Sequence, residues 1–274
     1  MIYDAVIFDV DGVLIDTSRS FTAAVVDAVA VATGSPRFTV EEVRQLKIIR
    51  GFNNEWVVAV VGAAWLRFRD TLPFTEFARN IDGHGGGLTG LRQVIGERLT
   101  PQFEARVVRL AQEAYGGTTA CKRLYGIEPT TLHGPGRWRE EVPLLPVEVI
   151  RPLISRVGIV SGRYAPEMEL AFQLLGWRLP PEQVAISDDP AFDKPNPVRL
   201  LAILRRLASR QALFVGDTRD DLELVRNARR EGAAIDFCYI GFSPAPWPEV
   251  AHEYPSVLNM LEHIEVQYDQ SATD

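Results

Sequence analysis

The chain has 274 residues, enough for one large α/β domain or two smaller ones, and its 46% hydrophobic and 24% charged residues are ordinary for a soluble globular protein. A formal net charge of −7 argues against a nucleic-acid binder, which would carry a basic excess. Two isolated cysteines, Cys121 and Cys238, fit a reducing compartment better than a disulfide scaffold. The four histidines show no HxxxH or HxxH spacing, which argues against zinc. The first residues carry no basic segment followed by an apolar one, and no apolar run approaches a membrane span. The expectation is a cytoplasmic protein, monomer or homodimer, with neither nucleic acid nor membrane as partner.

In chain order, the apolar run Ala5-Val6-Ile7-Phe8 reads as a strand that breaks at Asp11-Gly12. A helix-rich stretch follows, from residue 17 to residue 146. Its signals are a capping box at Thr39-Val40-Glu41-Glu42 and a helix start at Thr100-Pro101. The glycine-rich run from Asp82 to Gly87 interrupts it; no strand precedes that run and no Lys-Ser/Thr follows, so it is a loop rather than a phosphate-binding P-loop. From residue 147 short apolar strands alternate with helices: 157–160, 184–186, 212–215 and 237–240, separated by helical stretches near 165–175, 197–208 and 219–230. That alternation implies a doubly wound parallel sheet with helices on both faces. The first strand needs the same sheet, because a lone strand cannot bury itself. The expected organisation is therefore a Rossmann-like α/β core, 1–16 plus 147–274, with a helical insertion at 17–146.

Ligands of open parallel sheets bind at the carboxyl ends of the strands. The polar residues that follow the expected strands are Asp9 and Asp11; Ser161, Gly162 and Arg163; Ser187, Asp188 and Asp189, with Lys194 shortly after; and Asp217, Asp220 and Asp221. Carboxylates at three strand ends outline a hard-oxygen site of the kind magnesium prefers. Such a set suits phosphate chemistry. A carboxylate nucleophile is repelled by an anionic ester unless a cation and a lysine neutralise the charge. A second carboxyl group can protonate the leaving oxygen and later activate water. A serine hydroxyl and free N–H groups at a strand end can hold the remaining phosphoryl oxygens.

Four segments carry a family resemblance. Asp9-Val10-Asp11-Gly12-Val13-Leu14 resembles the first motif of the haloacid dehalogenase superfamily, and Ile159-Val160-Ser161-Gly162 its second. Lys194-Pro195-Asn196-Pro197 is similar to the third and Val215-Gly216-Asp217-Thr218-Arg219-Asp220-Asp221 to the fourth. All four occur in the family's order at expected strand ends. The resemblance implies that Asp9 is the nucleophile and Asp11 the general acid/base, while Ser161 and Lys194 hold the phosphoryl group. It implies a magnesium site made by Asp9, the main-chain oxygen of Asp11, and Asp217, with Asp221 as ligand or support; the family spacing favours Asp221 over Asp220. An insert directly after the first motif resembles a helical cap. A carboxylate at position 11 marks phosphatases and phosphomutases of the family rather than its dehalogenases. Two features depart from the pattern: the insert is longer than a usual helical cap, and Ser161-Gly162-Arg163 replaces the commoner Ser/Thr-Asn.

The implied activity is a magnesium-dependent phosphatase of a small phosphorylated metabolite, with a phosphomutase as the alternative. A receiver-type signalling domain, which also phosphorylates an aspartate near a lysine, lacks both the cap-sized insertion and the second carboxylate. Gly162, Arg163 and Asn54 are further candidates for substrate or phosphate contact. Asn54 equally suits a helix N-cap, with Trp56 in a helical core. Arg163 could pair with a cap carboxylate or contact the substrate's distal group. Asn53, His84 and Trp138 are cap residues whose contact with substrate the sequence leaves open.

Overall fold

The computed structural model describes residues 2–241 and 244–267. The chain divides into two compact units, Met1–Asp16 with Val142–Asp274, and Thr17–Glu141. The first unit is an α/β sandwich. Its strands are β1 (Ile2–Tyr3), β2 (Ala5–Phe8), β3 (Ile15–Asp16), β4 (Val142–Pro143), β5 (Val157–Val160), β6 (Val184–Ala185), β7 (Ala212–Gly216), β8 (Ile235–Ile240), β9 (His252–Tyr254) and β10 (Glu265–Val266). Six of them form the central sheet in the order β6-β5-β2-β7-β8-β9, parallel throughout. β2 is thus sandwiched between β5 and β7, with every side chain buried.

Period-two alternation divides the strand residues between the two faces. Val6, Phe8, Val157, Ile159, Leu213, Val215 and Cys238 enter one core, and Ala5, Ile7, Val160, Ala212, Phe214 and Phe237 enter the other. Because both faces are covered, the strands read as continuous apolar runs, the pattern expected of a parallel sheet.

The helices, numbered along the whole chain, are α1 (Phe21–Thr33), α2 (Val40–Lys47), α3 (Glu55–Phe68), α4 (Phe74–Gly83), α5 (Gly87–Ile95) and α6 (Pro101–Tyr125) in the second unit. In the first unit they are α7 (Val147–Ile150), α8 (Ala165–Leu175), α9 (Val198–Arg206), α10 (Arg219–Arg230) and α11 (Val257–His263). Met168, Ala171 and Phe172 of α8 and Met260 of α11 pack on the first face, and Leu200 and Ile203 of α9 with Leu222 and Val225 of α10 on the second.

The sequence places the return to the sheet domain after residue 146, whereas the first unit resumes at Val142. The reason is the antiparallel pairing of β3 with β4, Ile15 opposite Pro143 and Asp16 opposite Val142. A two-residue strand containing proline offers no periodicity to read.

The second unit is helical. Thr39 and Glu42 form the expected capping box on α2, and Thr100 caps α6 with Pro101 in its first turn. Phe21, Trp56 and Tyr115 form its aromatic centre, with Phe21 stacked on Tyr115 at 4.0 Å between centroids. Glu113, buried on α6, accepts hydrogen bonds from the backbone N–H groups of Thr130, Thr131 and Leu132 and from Arg109. It therefore ties the loop after α6 to that helix. Among the described residues no helix is long and apolar enough to cross a membrane.

Burial opposes ionisation of Glu113, but the loop donors prevail and lower its pKa below 4.5. Its contribution to stability is therefore present above that value and is lost as pH falls through the lower folded-state pKa. Glu113→Ala should cost about 1–3 kcal/mol at neutral pH, since it strands several loop donors. Denaturant titrations at pH 7 and pH 4 should show that difference shrinking at the lower pH.

Candidate active site

Strand register explains why distant residues converge. Phe8 is opposite Ile159 on one side and Val215 on the other. Asp9 therefore lies one residue past these pairs, and Ser161 and Asp217 two residues past them, at the same carboxyl edge. The Asp9 N–H donates to Val215 O at 2.9 Å and the Ser161 N–H to Ala185 O at 2.9 Å, so both remain fastened to the sheet as the strands end. Beyond Asp9 the chain turns tightly, with Leu14 and Ile15 N–H both donating to Val10 O.

Lys194 is the hub of the site. Its ammonium stands 2.8 Å from Asp9 Oδ1 and 2.8 Å from Asp221 Oδ1, with its side chain 1% exposed. It lies over the Phe214 ring of β7, and the Asn227 side chain of α10 donates to Pro195 O, tying the following residue in place. Asp221 is set by the start of α10. Thr218 caps that helix and donates its N–H and hydroxyl to Asp221 Oδ2, at 3.1 and 2.7 Å. One Asp221 oxygen thus serves the helix start and the other faces Lys194.

Asp9, Asp217 and Asp221 each offer a carboxylate oxygen, and these atoms lie within 4.8 Å of one another. Two glycines make room for the cluster. Gly12, at φ +79°, faces Asp217 so closely that a Cβ there would stand 2.9 Å from Asp217 Cγ. A Cβ at Gly216 would stand 2.7 Å from Asp221 Cγ. The structure thus brings Asp221, rather than its neighbour Asp220, into the cluster.

Electrostatics follows from this crowding. Burial pushes the Asp9 carboxyl above its ordinary range; Lys194 opposes that shift, while Asp221, Asp217 and Asp11 add to it. Burial alone would lower the Lys194 pKa, but Asp221 and Asp9 beside it raise it, so the amine is held protonated. Three carboxylates stand beside one ammonium, so carboxylates outnumber the cation that compensates them. The all-oxygen donor set and this excess fit a divalent cation of the magnesium type.

Asp11 lies outside the carboxylate cluster. Its Oδ1 accepts from Arg163 Nη2 at 2.6 Å and Nε at 3.0 Å. The sequence offers Arg163 for the substrate or for a cap carboxylate, yet the structure buries its guanidinium, 1% exposed, on Asp11 of the sheet unit. The two strand-end loops are neighbours because β2 and β5 are paired, so the pairing needs no long reach. Ser161 is buried beside it and accepts the Arg163 N–H on Oγ at 3.2 Å, with Gly162 between them.

The remaining candidates have local partners. Asn54 Oδ1 accepts the Trp56 N–H at 2.9 Å, so Asn54 caps α3. His84 Nδ1 contacts Asn80 O in the turn between α4 and α5. The Trp138 indole N–H donates to Thr119 Oγ1, and Arg123 lies over its ring. Asp188 pairs with Arg199, and Asp189 caps a single short turn. Sequence reasoning missed two supports, Thr218 beneath Asp221 and Asp193, which accepts from Ser187 Oγ at 2.8 Å in the loop that presents Lys194. Thr218 could have been found as the N-cap of a Thr-x-x-Asp capping box.

The sheet thus carries a lysine-bridged carboxylate cluster at its carboxyl edge. A family model described as haloacid dehalogenase-like hydrolase matches residues 3–229, and the chain belongs to that family. No curated protein matches the chain significantly. Solved structures share the fold. Phosphatase Tt82 from Thermococcus thioreducens is 24% identical, with 92% of this chain and 95% of that one covered, at a TM-score of 0.62. A protein from Lactobacillus delbrueckii provisionally named a phosphoglycolate phosphatase is 20% identical over 96% and 98% of the two chains, at 0.63. CbbY from Rhodobacter sphaeroides, solved with phosphate, is 17% identical over 93% and 94%, at 0.52.

Lys194→Met should leave Asp9 and Asp221 buried without their shared cation. Removing one member of such a cluster costs about 3–5 kcal/mol. Denaturant unfolding in the absence of divalent ions should show that loss, and one under about 1 kcal/mol would mean that Lys194 does not hold the cluster together.

Proposed function

We propose that this hydrolase is a magnesium-dependent phosphatase of a small phosphorylated metabolite, working through an aspartyl phosphate on Asp9. The observation that carries the reading is the Asp9–Lys194–Asp221 chain beside Asp217, with a second carboxylate, Asp11, two residues after Asp9. The phosphatase names of the structural relatives run the same way. So does Asp11 itself, where the family's dehalogenases have no carboxylate.

In this mechanism Asp9 attacks phosphorus, and the ester P–O bond breaks as the leaving oxygen takes a proton from Asp11. Water then gives a proton to Asp11 and attacks the phosphorus of the acyl phosphate. That P–O bond breaks, restoring Asp9 and releasing inorganic phosphate. Ser161 and Lys194 hold phosphoryl oxygens, with Gly162 offering a backbone N–H nearby. Asp9, the main-chain oxygen of Asp11, and Asp217 would hold magnesium, with Asp221 supporting them. The bound cation would offset the repulsion between the anionic ester and the carboxylates.

Asp9→Asn should abolish turnover and covalent labelling together, because the amide cannot attack. Asp11→Asn should still accept phosphate from an aryl ester, which needs little acid assistance, and should accumulate phosphoenzyme. Rapid acid quench with labelled substrate and peptide mapping tests both, and label on any residue but Asp9 would refute the mechanism.

The cation can be tested without turnover. Saturating magnesium at about 100 times its Kd should stabilise the protein by about 2.7 kcal/mol, raising Tm by several degrees, and EDTA should reverse it. Gly12→Ala, which crowds Asp217, should remove most of that shift. A magnesium-independent Tm would count against the proposed ligands.

A further inference from the structure

The Arg163 side chain occupies a place that needs explaining, because an arginine this size is almost never fully buried without a specific partner. It is fastened along its whole length. The backbone N–H donates to Ser161 Oγ, the backbone carbonyl accepts from Ser187 N at 2.9 Å, and Nη1 donates to Glu167 O at 3.3 Å in the first turn of α8. What remains is the Nε/Nη2 edge of the guanidinium, and that edge is spent on Asp11. Oδ1 accepts from Nε at 3.0 Å and from Nη2 at 2.6 Å, and Oδ2 also accepts from Nε at 3.3 Å. A planar fork engaging a carboxylate in this way fixes its rotation as well as its position, which a lysine ammonium does not.

We propose that Arg163 is the positioning residue for the acid/base carboxylate of Asp11: its Nε/Nη2 edge, engaged with that carboxylate, fixes where it stands. The inference rests on the acid/base role of Asp11 given above. It assigns two tasks to the short turn 161–163. Ser161 serves the phosphoryl group, and Arg163, two residues on, sets the group that handles the proton. The Ser161-Gly162-Arg163 departure from the commoner Ser/Thr-Asn is then a functional feature of this chain. Arg163 does not reach for the distal part of the substrate, since its polar edge is already engaged.

The test is the dependence of kcat/KM on the leaving group, measured with an alkyl phosphate and with 4-nitrophenyl phosphate in magnesium. Acid assistance matters for the first ester and little for the second, and such assistance contributes on the order of 10²–10⁴ in rate. Arg163→Met should lower kcat/KM for the alkyl ester on the order of 10²-fold and for the nitrophenyl ester by less than about tenfold. Phosphoenzyme should accumulate in acid-quenched samples, because water activation suffers too. Arg163→Lys, which keeps the charge and loses the fork, should fall between. It also carries the test if Arg163→Met does not fold. Adding Arg163→Met to Asp11→Asn should cause little further loss, the mark of two residues acting as one unit.

An equal fall for both esters that tracks a lower Tm, while Asp11→Asn still separates them, would make Arg163 a structural tie and overturn the inference alone. If Asp11→Asn itself fails to separate the esters, the acid/base reading of Asp11 falls and the inference falls with it.

Discussion

Lys194 carries the central constraint of this molecule. A protonated amine sits 2.8 Å from each of two buried carboxylates, and a third carboxylate completes their cluster. Neither a buried ammonium nor a buried carboxylate is tolerable alone, so each element that delivers one of them depends on the others being in place. That requirement explains the investment around the hub: Phe214 beneath the lysine, Asn227 on the next carbonyl, and Thr218 under Asp221.

The sheet makes this convergence cheap in sequence terms. Parallel strands all end at the same edge, so a polar residue placed just after each strand arrives at the site without any long-range instruction. β2 contributes the most because it is central, and its successors Asp9 and Asp11 face loops from both neighbours. The two aspartates are separated by one residue but have opposite environments. Asp9 shares a lysine with other carboxylates, whereas Asp11 has an arginine fork to itself. Two carboxyl groups given such different partners can divide labour.

Much of this was legible beforehand, for identifiable reasons. Strands buried on both faces announce themselves as apolar runs, so 157–160 was read at its observed limits. Helical stretches expected near 165–175 and 219–230 match the limits of α8 and α10. The fold class followed from the alternation of such elements. What escaped was whatever lacks period or depends on partners remote in sequence. β9 and the β1–β10 pair have three residues or fewer each, too few for any repeat to show. The Asp11–Arg163 fork joins positions 152 residues apart, and arginine after a strand reads equally well as a ligand-binding cation. Asn54 illustrates the same ambiguity at short range, since one side-chain oxygen suits a helix cap as well as a substrate.

The pairing of β3 with β4 has a consequence for how this chain could have arisen. The 125 residues of Thr17–Glu141 leave the sheet unit at Asp16 and rejoin it at Val142, two residues that are direct partners in a ladder. The inserted segment therefore begins and ends at one spot, and its length has no bearing on the register of the central strands. Any module whose own termini lie side by side could be spliced there while the catalytic edge kept its geometry. Evolution could thus exchange or enlarge the accessory unit freely, and directed recombination at this junction offers a route to chimaeras that keep one sheet unit.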